Sequence, residues 1–108
     1  VFAIWLQAAL PVEACPVVMF GSEGLLTAVS NNAGDFLRLL CLGYDEIGHG
    51  DFAGLGEKYD EAAPFRKHVA EAFGYDIPAN GQAIIDAAAG YNIAFDAFVR
   101  KHAWGEET

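Results

Sequence analysis

The sequence predicts a single α+β domain spanning residues 1–108, in which an antiparallel three-stranded meander, or a larger mixed sheet, packs against about four helices. Two observations lead to this class. The N-terminal part contains three short apolar runs separated by turn residues, and the remainder contains segments with the apolar spacing of helices. Hydrophobic residues make up 54% of the chain, which is enough to build a core.

Three segments near the N terminus have the composition of strands. Residues 1–7 carry apolar side chains on both faces, a pattern typical of a strand covered on both sides. The next run begins at Pro16, which has no N–H for a ladder and therefore starts a strand or lies at an edge. The turn between Gly21 and Gly24 is short enough to fold residues 25–30 back as a hairpin.

Residues 33–42, AGDFLRLLCL, have the signals of a buried helix. Asn31 or Asn32 supplies the predicted N-cap, and Asp35 places a negative charge where the first turn favours it. The segment is apolar on nearly all sides, which is typical of a buried helix. Gly43 stands where a left-handed residue would end it.

The C-terminal half contains the remaining predicted helices. The first covers residues 62–73 and ends at Gly74, and a short alanine-rich helix covers residues 82–89. Asn92 is the predicted cap of the last helix. The predicted stripe of the first of these helices consists of Phe65, Val69 and Phe73, and that of the last helix of Phe95, Phe98, Val99 and His102.

The strand, turn and helix between residues 16 and 42 resemble the SUKH superfamily, which joins fungal cell-wall regulators of the Smi/Knr type to bacterial immunity proteins. The matching pieces are PVVMFGSEG at residues 16–24 and DFLRLL at residues 35–40. Residues 1–7 look like the family's middle strand, and the resemblance covers most of the chain. The positions similar to a C-terminal extension of some bacterial members are Phe73-Gly74, Ile77-Pro78, Gly81 and Phe95.

The sequence departs from the family pattern at its start. Members usually carry a helical region before the first strand, whereas this chain opens directly in a predicted strand at Val1. The resemblance therefore implies one of two arrangements: an N-terminal part of the domain precedes this sequence, or a partner supplies the missing cover.

The chain is strongly acidic, with a formal net charge of −9. Residues 1–42 hold three acids and one arginine, so that −7 of this charge lies in residues 43–108. An acidic surface repels nucleic acid and anionic membranes and favours a basic protein partner. The alternative, left open by the sequence, is that acidity only keeps a small apolar domain in solution.

Cys15 and Cys41 lie in apolar surroundings and form no C-x-x-C pair, so the sequence gives no support for a zinc or redox site. They are predicted to be buried thiols in a reducing compartment. The apolar opening of about ten residues is too short to cross a bilayer. It also lacks the basic region of a secretory signal, so we expect a cytoplasmic protein.

Residues 44–60 combine glycines with acids and form the predicted recognition loop. The glycine spacing G-x-G-x-x-x-G resembles a phosphate loop, but a helix precedes it and nearby carboxylates would repel an anion. Asp45, Glu46, His49 and Asp51 offer cation ligands, although their spacing is not that of the twelve-residue calcium loop. A solvated acidic loop is the favoured interpretation.

The sequence contains no arrangement typical of an enzyme, and we predict no catalytic residue, cofactor or bound metal. Ser22 lies in GSEG, which is not a nucleophile elbow. His49, His68 and His102 are available as bases, but a Ser–His–Asp site is recognised only in space. The two Arg-Lys pairs are too few to hold nucleic acid against the net charge.

The resemblance implies a bacterial immunity protein that binds a basic toxin domain, often a nuclease, and covers its active site. The alternatives are a Smi/Knr-type intracellular scaffold without a toxin partner, and a small metal-dependent enzyme built on the His49 loop. The oligomeric state is left open, although a first strand without a neighbour can pair with another chain. The residues predicted to contact the partner are Asp45, Glu46, Asp51, Glu57, Asp60 and Glu61.

Overall fold

The computed structural model describes residues 1–21, 24–44, 47 and 52–105. The strands are β1 (Phe2–Ile4), β2 (Val17–Phe20) and β3 (Leu26–Ser30). The α-helices of the described chain are α1 (Ala33–Cys41), α2 (Ala63–Phe73), α3 (Gln82–Ala88) and α4 (Asn92–His102), with single 3-10 turns at Val12–Ala14 and Ala89–Tyr91. The strands pair antiparallel in the order β1-β2-β3, which confirms the predicted α+β class and three-stranded meander.

One face of the sheet is covered by α1 and α3. Val17, Met19 and Val29 point to this face and pack against Leu39 of α1 and Ile84 of α3. The pairing shifts between Val17 and Val18, which lie opposite Ser30 and Ala28, so that Val29 is an extra residue in β3. The prediction that α1 is buried nearly all round holds only in part, because Leu39 and Cys41 are fully enclosed whereas Leu40 is 38% exposed.

The opposite face of the sheet is covered by α4. Val18 of β2 packs there against Phe95 and Val99, and all three side chains are at most 2% exposed. The ring of Trp5 joins this cluster, with its centroid 5.3 Å from that of Phe95. The predicted stripe of the last helix is therefore confirmed at two positions, whereas Phe98 and His102 are exposed.

β1 is not covered on both sides, as its apolar pattern predicts, but is an exposed edge strand. Phe2 is 41% and Ile4 43% exposed. The helices pack mainly over β3, and only the ring of Phe36 in α1 approaches Phe2, at 5.1 Å between centroids. The prediction fails because a strand's own pattern does not say how far the covering helices extend.

The N-cap prediction for α1 is confirmed and resolved between its two candidates. The side chain of Asn32 accepts a hydrogen bond from the N–H of Asp35 at 2.8 Å. Gly43 and Gly74 follow α1 and α2 with left-handed φ values of 74° and 67°, as predicted. Asn92 is not a cap: it is the first residue of α4, and Tyr91 takes the capping position without a side-chain bond.

α2 packs on α1 rather than on the sheet. Val69 is 1% exposed, but its predicted stripe partners Phe65 and Phe73 are 39% and 54% exposed. A single neighbouring helix buries only a narrow seam, so the two phenylalanines remain at the surface. No helix in the described part of the chain is long and apolar enough to cross a membrane.

Candidate functional site

The turn of residues 57–62, called the acidic turn below, carries three of the six predicted contact acids. Glu57, Asp60 and Glu61 are all exposed there. None of the three carboxylates forms a hydrogen bond or ion pair with the rest of the described chain. Lys58 lies in the same turn and is also exposed, so three carboxylates accompany one ammonium group.

The other three predicted contact acids, Asp45, Glu46 and Asp51, lie outside the described residues, as do His49 and Ser22. The hypotheses of a phosphate loop and of a cation loop fall on this same stretch. The site is therefore built from the acidic turn and from the residues that hold it.

A close crossing of two backbone segments forms the base of the acidic turn. The N–H of Gly56 donates to the carbonyl of Leu42, and the N–H of Lys58 donates to that of Gly43, both at 2.9 Å. A Cβ atom on Gly56 would overlap the backbone of Gly43 and Tyr44. Glycine is required at this crossing because the two chains touch backbone to backbone.

Tyr44 ties the beginning and the middle of the predicted recognition loop to the start of α3. Its hydroxyl accepts a hydrogen bond from the N–H of Gly81 at 2.8 Å and lies 3.1 Å from the carbonyl of Phe52. The N–H of Gly81 also donates to that carbonyl, at 3.1 Å. The rings of Tyr44 and Phe52 meet edge to face, with centroids 4.9 Å apart. These contacts fix the segment that leads into the acidic turn.

Arg66 fixes the acidic turn from the α2 side. Its guanidinium donates to the carbonyl of Cys41 at 3.0 Å and also to the carbonyl of Tyr59. The same group lies over the Tyr59 ring, 3.6 Å from the centroid. The last turn of α1, the acidic turn and the start of α2 are thus joined through one side chain.

Burial raises the pKa of the Cys41 thiol above its ordinary value, and the positive charge of Arg66 only partly opposes this effect. Cys15 and Cys41 are both free and buried, as predicted from their apolar surroundings. A protonated, enclosed thiol is a poor nucleophile, so Cys41 acts as a core side chain.

The arginines of the chain are engaged within the fold. Arg38 pairs with Asp35 at 3.0 Å and lies over the Tyr75 ring, and Arg100 pairs with Asp96 at 2.6 Å. These partners, like those of Arg66, reduce the positive potential that arginines would otherwise show to solvent.

The described residues do not assemble a metal centre. His68 is exposed on α2, and His102 is exposed on α4 beside Phe98, with ring centroids 4.7 Å apart. Within the described ranges, no group of three His, Cys, Asp or Glu side chains is placed to hold a metal ion.

Sequence reasoning found the acids of the turn but missed the residues that position them. Tyr44, Gly56 and Arg66 act through hydrogen bonds to residues 14 to 37 positions away, apart from local bonds. No local pattern marks such positions, because a glycine at a backbone crossing looks like any loop glycine. Likewise, no residue spacing in the sequence indicates which hydroxyl will bridge two segments.

Comparison with protein-family models, curated proteins and solved structures gives no match for this chain. The SUKH likeness therefore remains a resemblance carried by residues 16–42 and the neighbouring motifs. What the chain does has to be argued from the acidic turn itself.

Proposed function

We propose that this chain is a non-catalytic protein-binding domain that uses its acidic turn to bind a basic protein surface. The observation that carries this proposal is that Glu57, Asp60 and Glu61 are all exposed on one turn whose backbone is held from both sides. Carboxylates without an internal partner are available to pair with Lys and Arg of another protein.

The alternative role for acids at this place is to stabilise α2, since negative charge is favourable near a helix N-terminus. The geometry gives that role little weight. α2 begins at Ala63 with Ala62 at the cap, no side chain caps it, and its first turn contains no acid. The N–H of Ala63 donates to the backbone carbonyl of Asp60 at 3.3 Å, but the side chains of Asp60 and Glu61 form no bond to the free N–H groups of the helix.

A fixed backbone matters because ordering a flexible loop on binding costs free energy. The bonds of Tyr44, the crossing at Gly56 and the guanidinium of Arg66 hold the turn before a partner arrives. The remaining cost is the ordering of three short or medium-length side chains. A pre-ordered set of charges also raises the association rate through electrostatic steering.

The resemblance to SUKH proteins supplies the nature of the partner in this proposal. The partner is a basic toxin domain, most often a nuclease in that family, and this chain acts as its immunity protein. The acidic turn then occupies the place where the toxin would hold phosphates of its substrate. Two free, buried cysteines support a reducing compartment such as the cytoplasm.

The test is co-expression with the product of the neighbouring gene, since immunity and toxin genes lie side by side in such systems. The triple variant Glu57→Gln, Asp60→Asn, Glu61→Gln removes the charges of the turn. We expect the association rate to fall about tenfold or more and to lose most of its salt dependence. Binding is measured by stopped-flow fluorescence at low and high salt.

The matched control is the triple variant Glu13→Gln, Glu71→Gln, Asp76→Asn, which makes the same charge change at exposed positions outside the turn. It should bind nearly as the parent does. If both triple variants lost the same factor in association rate, the effect would come from net charge alone, and the proposal would be contradicted. A complex that forms without protecting cells from growth arrest would indicate a regulatory scaffold instead of an immunity protein.

A further inference from the structure

The two edges of the sheet differ in what covers them. At the β3 edge, the N–H of Ala28 donates to Oδ1 of Asn92 at 2.7 Å, and the Thr27 hydroxyl donates to the same oxygen at 3.3 Å. α4 thereby closes that edge. At the β1 edge, no residue of the described chain forms an equivalent bond.

The outward groups of β1 follow from its pairing with β2. Val1 and Phe20 exchange two backbone hydrogen bonds, at 3.0 and 2.8 Å, so Val1 faces β2. Backbone direction alternates along an antiparallel strand, and Ala3 therefore faces β2 as well. The N–H and C=O groups of Phe2 and Ile4 point away from the sheet, where they can pair with another strand.

The side chains around this edge are apolar and uncharged. Residues 1–12 contain no Asp, Glu, Lys or Arg. Val1 is 87%, Phe2 41%, Ile4 43% and Leu6 68% exposed. Protein edges are normally protected by Lys, Pro or a bulge, and β1 has none of them. An open hollow of ≈ 290 Å³ beside the strand is lined by Phe2, Ala3, Ile4, Val17, Ala33 and Phe36.

We infer that a second copy of this chain occupies the edge, pairing β1 with β1 antiparallel about a two-fold axis. In the register that uses the outward groups, Phe2 lies opposite Ile4 of the second copy, and Ala3 lies opposite Ala3. The pair at the axis is the non-hydrogen-bonded kind, in which the strands approach most closely, and only methyl groups meet there. The large apolar side chains stack beside the hollow, and the two sheets become one six-stranded sheet.

Charge favours a second copy at this surface over any other place on the chain. Two copies of net charge −9 repel each other wherever their acids meet. At the β1 edge two copies can meet without bringing acidic side chains together, because residues 1–12 contain no charged side chain. An acidic or basic partner strand would instead bring an unpaired charge against an apolar surface.

The test is sedimentation velocity over a concentration series of the full chain, with far-UV circular dichroism to confirm the fold. We expect a monomer–dimer equilibrium. Ile4→Lys places a charge opposite an apolar side chain, and Ile4→Pro removes an outward N–H that β2 does not use. Each should raise the dimer Kd about tenfold or more. The matched control, Ile93→Lys, changes an isoleucine that is 86% exposed on α4, and should leave the Kd unchanged.

A disulfide reports the register directly. Ala3→Cys should form a covalent dimer under mild oxidation, because residues opposite each other in such a pair have Cα atoms about 4.5 Å apart. Val1→Cys, equally close to the edge but offset from the axis, should not. Cys15 and Cys41 are buried and do not compete.

A single monomeric mass at the highest concentration reached would overturn the inference. So would a dimer that Ile4→Lys and Ile93→Lys leave equally intact, or one that Ala3→Cys fails to cross-link. A defined complex with another protein in place of self-association would identify a different occupant. None of these outcomes involves the acidic turn, so the proposed function is tested separately.

Discussion

The side-chain oxygen of Asn92 lies 2.7 Å from the backbone nitrogen of Ala28 and accepts its hydrogen bond across 64 residues of sequence. Because Ala28 is at a sheet edge, its N–H would otherwise have no partner from the ladder. The bond positions the start of α4 against β3, and the buried Phe95 and Val99 follow one and two turns later. One amide group therefore closes an edge and places a core helix.

Removing this amide should destabilise the domain. Asn92→Leu keeps the size of the side chain but leaves the Ala28 N–H unsatisfied, and we expect a loss of about 1–3 kcal/mol in the free energy of unfolding. Urea denaturation followed by tryptophan fluorescence measures it. Asn92→Asp keeps an acceptor oxygen and places a negative charge at the first turn of α4, so its loss should be smaller. An equal loss of stability in both variants would mean that the side-chain oxygen accepting from Ala28 does not stabilise the domain.

The backbone crossing below the acidic turn should tolerate no side chain. Gly56→Ala puts a Cβ atom into the backbone of Gly43 and Tyr44, so the two segments must separate. We expect a loss of about 2 kcal/mol or more in the free energy of unfolding. Gly54→Ala is the matched control, because a Cβ there meets nothing within 4 Å, and its effect should stay within about 0.5 kcal/mol. Similar losses of stability for Gly56→Ala and Gly54→Ala would contradict a backbone-to-backbone contact at Gly56.

The Tyr44 hydroxyl should contribute to the stability of the fold beyond the packing of its ring. Tyr44→Phe keeps the edge-to-face contact with Phe52 but removes the oxygen that accepts from the N–H of Gly81. We expect a loss of about 1–2 kcal/mol and faster hydrogen exchange at the Gly81 amide, measured by NMR. Tyr91→Phe, where the ring contact with Trp5 is kept, serves as the control and should change little. Unchanged exchange at Gly81 would show that its bond to the carbonyl of Phe52 suffices.

We expect the free energy of unfolding to depend on pH through Cys41, and the burial of its thiol determines the sign. Burial raises the pKa of the folded thiol above its ordinary value of 9.0, so the unfolded chain releases the proton first as pH rises. The contribution to stability is fully present below about pH 9 and declines as pH rises through the folded pKa. Urea denaturation between pH 7 and 11 should show a steeper loss for the parent than for Cys41→Ala. Parallel curves would contradict the shift.

Local signals predicted the elements whose determinants lie close together in the chain. The hairpin of β2 and β3, the Asn32 cap of α1 and the left-handed glycines after α1 and α2 each depend on a few neighbouring residues. The same kind of signal failed where a distant segment decides the outcome. Asn92 has the chemistry of a cap, but the free N–H of β3 is a better partner than its own helix. Phe65 and Phe73 have the spacing of a buried stripe, but α2 packs mainly against α1, and both rings remain exposed.

The candidate site divides in the same way. The acids at residues 57, 60 and 61 could be named from charge and from the glycine-rich context, because loops between elements are exposed. Their presentation depends on Tyr44, Gly56 and Arg66, whose contacts join segments far apart in sequence. No periodicity or spacing encodes such contacts.

The sequence by itself determined the α+β class, the antiparallel pairing of β2 with β3, the buried thiols and the acidic character of the C-terminal part. These depend on local propensity, on apolar periodicity and on charge, which are properties of neighbouring residues. Tertiary structure alone decided that β1 is an open edge while Asn92 closes the other, and that the acidic turn is held in place. The physical reason is that a hydrogen-bonding group pairs with, and an apolar side chain packs against, whichever group is nearest in space. Which groups are near each other is decided only when the chain folds.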